Sequence, residues 1–238
     1  MIVARRTFVT ALSAGAAALV APVAGAQAPA APAQPAAPPA PKRPPSPGEQ
    51  IAARVQAFYD KTKTYKAKFK QVFTVPAHNK TKESTGQLFF QKPGKMSWRY
   101  TNNGNRIVSD GRLLKVYEKD NKQMYEQSLA KSHYPAALAF LVGTGSLLKS
   151  FKFTKLDSQQ MKFEGGHVLL AEPLEPNPAY RKMLLYVDHG TSQVRRVLLL
   201  DAQGNKNRFD FLGPQVNVPV PAGEFAFTPP PGTQVVRP

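Results

Sequence analysis

Apolar and polar residues alternate along much of the chain from residue 65 onward, which is the period of a β-strand. The clearest case is Gly86–Tyr100, where two such runs meet at Lys92-Pro93-Gly94. Proline fixes its own φ and Gly94 supplies a positive φ, which together favour a type II turn. Alternation places Leu88, Phe90 and Lys92 on one face before the turn, and Met96, Trp98 and Tyr100 on one face after it. An aromatic face with a cation at its rim is expected to pack against other apolar groups. It would do so if it formed the inner face of an ordinary β core.

One helix is predicted before these strands. Ser46-Pro47-Gly48-Glu49 has the sequence of a capping box, with serine as the N-cap and proline at the first helical position. Apolar residues then recur at helical spacing up to a predicted end near Lys61, namely Ile51, Ala52, Val55, Phe58 and Tyr59. From Tyr65 to Val75 the period changes to two, which predicts a strand with aromatic side chains on one face and lysines on the other.

Short strands and turns follow, without the regular strand–helix alternation that a parallel sheet requires. The predicted strands are Glu83–Gln91, Lys95–Tyr100, Arg106–Ser109, Leu113–Glu118, Gln123–Ser128, Arg181–Asp188, Gln193–Leu200, Arg208–Leu212 and Glu224–Phe227. Met183–Val187 and Val197–Leu200 are apolar on both faces. The sheet is therefore covered on both sides there, or it leaves an apolar surface for another molecule.

The segment Tyr134–Phe151 interrupts the strand pattern. Residues 135–142 are apolar on every side, Gly143 and Gly145 break the run, and Ser146-Leu147-Leu148 resumes it. A helix that is apolar all round is buried all round, or it faces a ligand as well as the sheet. The segment is thus either a plug packed inside a barrel or a helix that faces a ligand as well as the sheet.

The first 45 residues have a different composition. Arg5-Arg6 precedes an apolar stretch, and Ala24-Gly25-Ala26 fits the small-residue rule for cleavage, so residues 1–26 are predicted to be a secretory signal peptide. The arginine pair leaves open whether export follows the Sec or the twin-arginine route. Residues 27–45 are almost entirely alanine and proline, which predicts an extended tether. Residues 46–238 are then expected to form one folded domain.

Composition narrows the possible functions. The chain has no cysteine, which excludes disulfides, thiolate metal sites, a cysteine nucleophile and a lipid anchor on a lipobox cysteine. Its formal charge of +17 implies attraction to phospholipid headgroups, nucleic acid or acidic proteins. The four histidines lack the spacing of a metal site, and no nucleophile elbow is present, so we expect no catalysis, metal or cofactor. We also expect no nucleic acid, because the lysines and aromatic residues of 65–71 lie on opposite faces.

The run Gly-x-Leu-x-Phe-x-Lys-Pro-x-x-Met-x-Trp-x-Tyr at Gly86–Tyr100 resembles the fingerprint of the periplasmic outer-membrane lipoprotein carrier family (LolA). The resemblance continues in Phe69-Lys70-Gln71, Ile107–Gly111, Tyr117 and Phe225–Gly232. These pieces occur in the family's order, from about Glu49 to Val236. The resemblance implies an α+β fold, in which a single curved antiparallel sheet forms an open half-barrel and helices pack into its concave face as a lid.

The resemblance also implies that the hollow between sheet and helices holds the acyl chains of a lipoprotein that crosses the periplasm. Lys92 occupies the position where relatives often carry an arginine that hydrogen-bonds helix carbonyls and latches the lid, although a solvated turn lysine is the alternative. Met96 corresponds to an apolar position at the cavity mouth that guides transfer, with edge-strand packing as the alternative. The implied cavity wall is Leu88, Phe90, Trp98 and Tyr100, and the implied lid side is Leu138, Phe140, Leu141 and Val142.

The expected partners are lipoprotein acyl chains, an inner-membrane lipoprotein-releasing ABC transporter and, where present, an outer-membrane lipoprotein receptor, with the carrier itself a monomer. Two alternatives stay open. One is a related carrier of glycolipid or phospholipid, or a sensor of misplaced lipoproteins. The other is a basic β scaffold with a filled core that binds an anionic polymer or an acidic protein.

Overall fold

A computed structural model describes residues 43–132 and 139–238 of the chain, and the described fold begins with helix α1 (Pro47–Lys61). The predicted capping box is present: the Ser46 hydroxyl accepts a hydrogen bond from the Glu49 N–H, and the Glu49 carboxylate accepts one of 2.6 Å from the Ser46 N–H. The buried stripe of α1 consists of Gly48, Ile51, Ala52, Val55 and Tyr59. The predicted signal peptide and nearly all of the predicted tether lie outside the described residues.

The strands form one twelve-stranded sheet in the order β12-β6-β5-β4-β3-β2-β1-β11-β10-β9-β8-β7. Their bounds are β1 (Thr64–Val75), β2 (Lys80–Gln91), β3 (Lys95–Tyr100), β4 (Arg106–Asp110), β5 (Leu113–Glu118), β6 (Gln123–Ser128), β7 (Phe151–Leu156), β8 (Gly166–Pro173), β9 (Lys182–Asp188), β10 (Val194–Leu200), β11 (Lys206–Val216) and β12 (Gln234–Val236). The described neighbours are antiparallel except that β12 pairs with β6 in parallel. Because β7 and β12 end the order without pairing to each other within the described chain, the sheet is open, as predicted.

In residues 43–132 and 139–238, four short helical segments lie between the strands. Two are 3₁₀ turns, Pro76–His78 and Leu129–Lys131, and two are α-helices, α2 (Ala139–Val142) and α3 (Leu147–Ser150). Both α2 and α3 pack against α1, while α2 also contacts β2 and α3 also contacts β7. No helix in the described part of the chain is both long and apolar enough to cross a bilayer.

The register of the β2–β3 hairpin aligns inward-facing side chains in rows across the sheet. Gly94 has the predicted positive φ, at 67°, and the Lys92–Pro93 peptide bond is cis. One row contains Tyr65, Phe90 and Met96, and the next row contains Ala67, Leu88 and Trp98. The row with Met96 is the one nearest the hairpin turn.

Both faces of the sheet carry apolar clusters. The large core lies between α1, α2, α3 and the inner face of the sheet. A smaller cluster of Val168, Leu184 and Tyr186 lies on the other face, packed against Met161 and Phe163 from the loop after β7. Of the two alternatives that the sequence left open, cover on both sides is the one observed for β9, whereas Leu198 and Leu200 of β10 are only half-buried on this face.

The C-terminal segment differs from its predicted structure. Glu224–Phe227 is not a strand; Glu224 and Phe225 lie in a turn, and the last strand is β12 instead. The prolines at 219, 221 and 229–231 have no N–H to donate to a sheet. Ion pairs then fix the segment, because Glu224 contacts both Arg99 and Arg106.

Candidate functional site

Aromatic rings fill the centre of the inner face. The Trp98 ring lies 4.9 Å from Phe69, 5.9 Å from Phe90, 5.3 Å from Phe209 and 6.5 Å from Phe211, measured between centroids. All five side chains are buried. The strands that supply them, β1, β2, β3 and β11, are consecutive in the sheet, so the rings form one continuous apolar surface.

The four residues predicted to line a cavity wall lie on this surface or at its edge. Leu88, Phe90 and Trp98 are buried, and Tyr100 is half-buried with its ring 5.0 Å from that of Phe69. The Tyr100 hydroxyl donates a 2.9 Å hydrogen bond to Gln71 and borders a surface cavity of about 270 Å³. In this structure, Leu88, Phe90 and Trp98 are buried by neighbouring side chains of the sheet and by the covering helices.

The helices above this surface supply the residues predicted for the lid side. Phe140, Leu141 and Val142 of α2 are buried, and the Phe140 ring packs edge-on against Tyr59 of α1 at 5.1 Å. Leu138, which was also predicted for this side, lies outside the described residues. The α3 helix is tied to α1 by a 2.8 Å hydrogen bond from the Leu147 N–H to the Gln56 side chain.

Lys92 connects the sheet to two of the helices. Its ammonium donates to the Tyr59 carbonyl oxygen and lies 3.4 Å from the Asp60 carbonyl oxygen, both at the end of α1. A Cβ added to Gly143 would lie 2.7–3.0 Å from three methylene carbons of the Lys92 side chain, so this side chain packs directly against the glycine. Burial lowers the pKa of Lys92, and the charge of Asp60 opposes that shift.

A second contact joins the same hairpin turn to α2. The Gly94 N–H donates a 3.1 Å hydrogen bond to the carbonyl oxygen of Val142, the last residue of that helix. The β2–β3 turn thus holds the ends of α1 and α2 through one side chain and one backbone group.

Met96 is fully buried in this arrangement. It is the first inward-facing residue of β3 after the turn, and it pairs with Phe90 on β2 and Ser109 on β4. It therefore lies in the row of the sheet nearest the β2–β3 turn, and its side chain is covered in this structure.

Two polar groups of the inner core were not singled out by the sequence. The Tyr65 hydroxyl and the Trp98 indole N–H are buried and have no hydrogen-bond partner among the described residues. Burial raises the pKa of Tyr65 well above its ordinary value. By contrast, the Tyr59 hydroxyl in the same core accepts a 3.1 Å hydrogen bond from the Val194 N–H.

Two further clusters of polar side chains could not be predicted from the spacing of their residues along the chain. Glu224, 1% exposed, accepts hydrogen bonds of 2.7 Å from the Ser97 hydroxyl and from Arg99 Nε. On the β8–β9 side, His167 Nε2 lies 3.1 Å from His189 Nδ1. No group of three or more potential ligands placed to hold a metal occurs in residues 43–132 and 139–238.

The part of the chain that the structure describes is thus an open sheet whose aromatic inner face is covered by helices α1, α2 and α3, which defines a class of protein with an apolar interior between a sheet and a helical cover. The model of one family, "Outer membrane lipoprotein carrier protein LolA", matches residues 60–228. The chain belongs to this family.

Relatives with the name "Outer-membrane lipoprotein carrier protein" agree with that assignment. The protein of Chromobacterium violaceum is 31% identical over 189 residues, and that of Bordetella avium is 29% identical over 185 residues. Each alignment covers 77% of this chain and 86% of the relative. Among solved structures, a LolA superfamily protein from Nitrosomonas europaea is similar with a TM-score of 0.42 and 13% identity, over 76% of this chain and 97% of that one.

Proposed function

We propose that this protein carries lipoproteins across the periplasm by sheltering their acyl chains between the inner face of the sheet and the helices above it. Membership of the lipoprotein carrier family supports the proposal. The structural observation that carries it is the continuous aromatic surface around Trp98, which in the described part of the chain is covered by helices α1 and α2 rather than by a second sheet. A helix that packs on the sheet without sharing its ladder of backbone hydrogen bonds is a cover that can move without breaking the sheet.

The energetics of lipid transfer explain why such a cover is needed. Each buried methylene contributes about 0.8 kcal/mol, so one 16-carbon chain contributes on the order of 12 kcal/mol. Full burial of three such chains would exceed the practical ceiling for noncovalent affinity, which is roughly 20 kcal/mol. A carrier therefore shields the chains only partly, or uses free energy to open, and direct transfer between two apolar interiors meets either condition.

The residues take the following roles in this proposal. Leu88, Phe90, Trp98 and Tyr100 form the wall against which the chains lie, and Leu138, Phe140, Leu141 and Val142 belong to the cover. Lys92 is the latch, since it binds the end of α1 and packs against Gly143 after α2. Met96, in the row of the sheet nearest the hairpin turn, is assigned to the mouth of the cavity, where it guides the transfer of an acyl chain.

The proposal extends to the route of the protein. The predicted signal peptide at 1–26 exports the chain, and the predicted tether at 27–45 precedes the carrier domain. An inner-membrane ABC transporter is proposed to load the carrier, and an outer-membrane receptor to receive the cargo. The formal charge of +17 favours encounter with acidic surfaces on these partners or with anionic lipid.

Binding of a defined cargo tests the proposal. The exported protein is titrated with a fluorescent diacylglyceryl-cysteinyl peptide, and the same peptide without acyl chains is the matched control. We expect saturable binding of the acylated peptide only, and mass spectrometry of the protein as purified should show bound acyl lipid. Binding of glycolipid in preference to the peptide would favour a related lipid carrier.

A core filled permanently by these packed aromatic rings is the alternative to an interior that admits acyl chains, and a separate measurement tests it. A protein that takes up neither the acylated peptide nor the dye ANS would contradict carriage and would favour a basic scaffold for acidic partners.

A further inference from the structure

Two hydrogen-bond donors lie unused at the centre of the inner face. The side chains of Tyr65 and Trp98 are each 1% exposed, yet the Tyr65 hydroxyl and Trp98 Nε1 have no partner among the described residues. A buried polar group without a partner destabilises a fold by about 1–3 kcal/mol. Phenylalanine would avoid that penalty, and the chain places phenylalanine at the neighbouring positions 69, 90, 209 and 211.

The two donors belong to one surface. The Tyr65 ring stacks on Phe90 with 5.9 Å between centroids, and the Trp98 ring meets the same Phe90 edge-on at 5.9 Å. Both rings also approach Phe211, at 6.3 Å for Tyr65 and 6.5 Å for Trp98. They occupy adjacent rows of the sheet and share Phe90 and Phe211 as neighbours.

The fold is able to satisfy a tyrosine hydroxyl at this depth. Tyr59 is also fully buried, with its ring 6.3 Å from that of Tyr65, and its hydroxyl accepts the Val194 N–H. The lack of a partner at Tyr65 is therefore not a general property of tyrosines in this core. It points to an acceptor that the described chain does not supply.

The chemistry of the donors limits what that acceptor is. The indole N–H donates and cannot accept, and a tyrosine hydroxyl donates readily. A hydrocarbon chain offers no acceptor, whereas the ester that joins each acyl chain to glycerol has a carbonyl oxygen. A diacylglyceryl group carries two such carbonyls close together, which matches two donors on one apolar surface.

We infer that the Tyr65 hydroxyl and the Trp98 indole N–H donate hydrogen bonds to the ester carbonyls of the bound diacylglyceryl group. This inference rests on the proposed carriage of acylated cargo. It assigns to the interior a preference for ester-linked chains over bare or ether-linked ones, and it fixes how deep the glycerol end of the cargo lies.

The test compares two cargoes that differ only at the carbonyls. Affinities of the exported protein are measured for a diacylglyceryl-cysteinyl peptide and for its dialkyl ether counterpart with equal chain lengths. Wild type should bind the ester form roughly tenfold more tightly, since hydrogen bonds are individually modest. Tyr65→Phe and Trp98→Phe should each bring the ratio of ester affinity to ether affinity closer to one; Trp98→Phe also alters the apolar wall, so its effect is judged by this ratio and not by the affinity for either cargo alone.

Tyr59→Phe is the matched control. It removes a buried tyrosine hydroxyl that has a partner, so it should lower the melting temperature but keep the ester preference. Tyr65→Phe should melt at or above the temperature of wild type, because it removes an unpaired group. A loss of stability in Tyr65→Phe as large as in Tyr59→Phe would reveal a partner within the protein and overturn the inference.

The remaining outcomes separate this inference from the proposed function. Equal affinity of wild type for the two cargoes, or an ester preference that survives in both Tyr65→Phe and Trp98→Phe, would overturn the inference and leave carriage intact. Failure to bind either cargo would overturn both. A diacyl phospholipid that competes as well as the acylated peptide would identify the diacylglyceryl group, not the attached peptide, as the part recognised.

Discussion

Three groups meet around Lys92: the carbonyl oxygens of Tyr59 and Asp60 at the end of α1, and Gly143 after α2. Arginine would present several donors in a fixed fork to those carbonyls, whereas lysine presents one compact ammonium at the end of a flexible stem. A latch built from lysine therefore depends on one ammonium group, so a variant that lacks this group tests the latch directly.

Lys92→Met removes the donor and keeps most of the stem. We expect the free energy of unfolding to fall by about 1–2 kcal/mol, because two helix-end carbonyls lose a charged donor. A fluorescent acyl probe should also enter faster, as measured by stopped-flow fluorescence. Lys92→Arg should keep the slow probe entry of wild type. Lys95→Met is the charge-matched control, because it removes one positive charge from the same hairpin at a position away from α1. Identical entry rates in wild type and Lys92→Met would show that Lys92 does not restrain the cover.

The His167–His189 pair predicts a response to acid. Burial lowers the pKa of His167, with smaller contributions from the charges of His189, Lys155 and Arg54. A histidine whose pKa is lower in the folded protein takes up its proton more readily when unfolded, so stability falls as pH drops through the ordinary histidine range near about 6.5. His167→Gln should lose less stability between pH 7.5 and 5 (roughly the titration range of histidine) than wild type does in urea denaturation. A parallel loss in both proteins would contradict this.

At the scale of single elements, the end of α2 depends on Gly143. Its φ is 73°, a conformation that other residues adopt at a cost, and a Cβ there would lie 2.7 Å from the Lys92 stem. Gly204 has a similar φ of 82° but no atom within 4 Å of its Cβ position. Gly204→Ala thus isolates the backbone strain, at about 1 kcal/mol. Gly143→Ala should destabilise more than this and speed probe entry, and equal effects of the two substitutions would argue against the packing of α2 on Lys92.

The C-terminal segment is fastened to the outer face by Glu224. Replacement of its buried carboxylate by Glu224→Gln leaves Arg99 and Arg106 without their counter-charge, and we expect the free energy of unfolding to drop by about 2 kcal/mol. Glu126→Gln, which affects the more exposed pairs with Lys115 and Arg237, should change stability by less than about 1 kcal/mol. Since Ser97 and Arg99 face away from Trp98, cargo affinity should be unchanged in both variants. Weakened cargo binding in Glu224→Gln would mean that the two faces are coupled.

At the scale of the whole molecule, the large positive charge acts on encounter more than on cargo affinity. Transfer of a labelled acyl peptide from the protein to anionic vesicles should slow as salt rises, because exposed charges are screened beyond about 10 Å at 0.1 M salt. Zwitterionic vesicles provide the control, for which little salt dependence is expected. A rate to anionic vesicles that does not change with salt would remove charge steering from the mechanism.

Local patterns were sufficient to predict much of this fold. The capping box at Ser46 and the β2–β3 turn with Gly94 at positive φ are set by neighbouring residues, and the structure confirms both. The strand period of two likewise predicted that Leu88 and Phe90 lie on the same face, although Phe89 between them is also apolar. The aromatic face could therefore be predicted before its cover was known.

Features that depend on distant partners could not be predicted in this way. Glu224 is 127 residues from Ser97, to which it is bonded, and nothing in its own neighbourhood distinguishes it from an exposed glutamate in a strand. The approach of His167 to His189 depends on the register of β8 and β9. That the donors of Tyr65 and Trp98 lack partners is a property of the packed core, which no run of residues encodes.

The open order of the sheet, with β12 at one end and β7 at the other, has a mechanical consequence. A closed barrel fixes its own circumference, since widening it would tear a ladder of backbone hydrogen bonds between two strands. In the described chain, no backbone hydrogen bonds join the terminal strands β12 and β7. The sheet can therefore widen or narrow by flexing, while side chains slide past one another, without breaking a backbone ladder. In the proposed carriage, the same backbone then accommodates cargoes of different bulk.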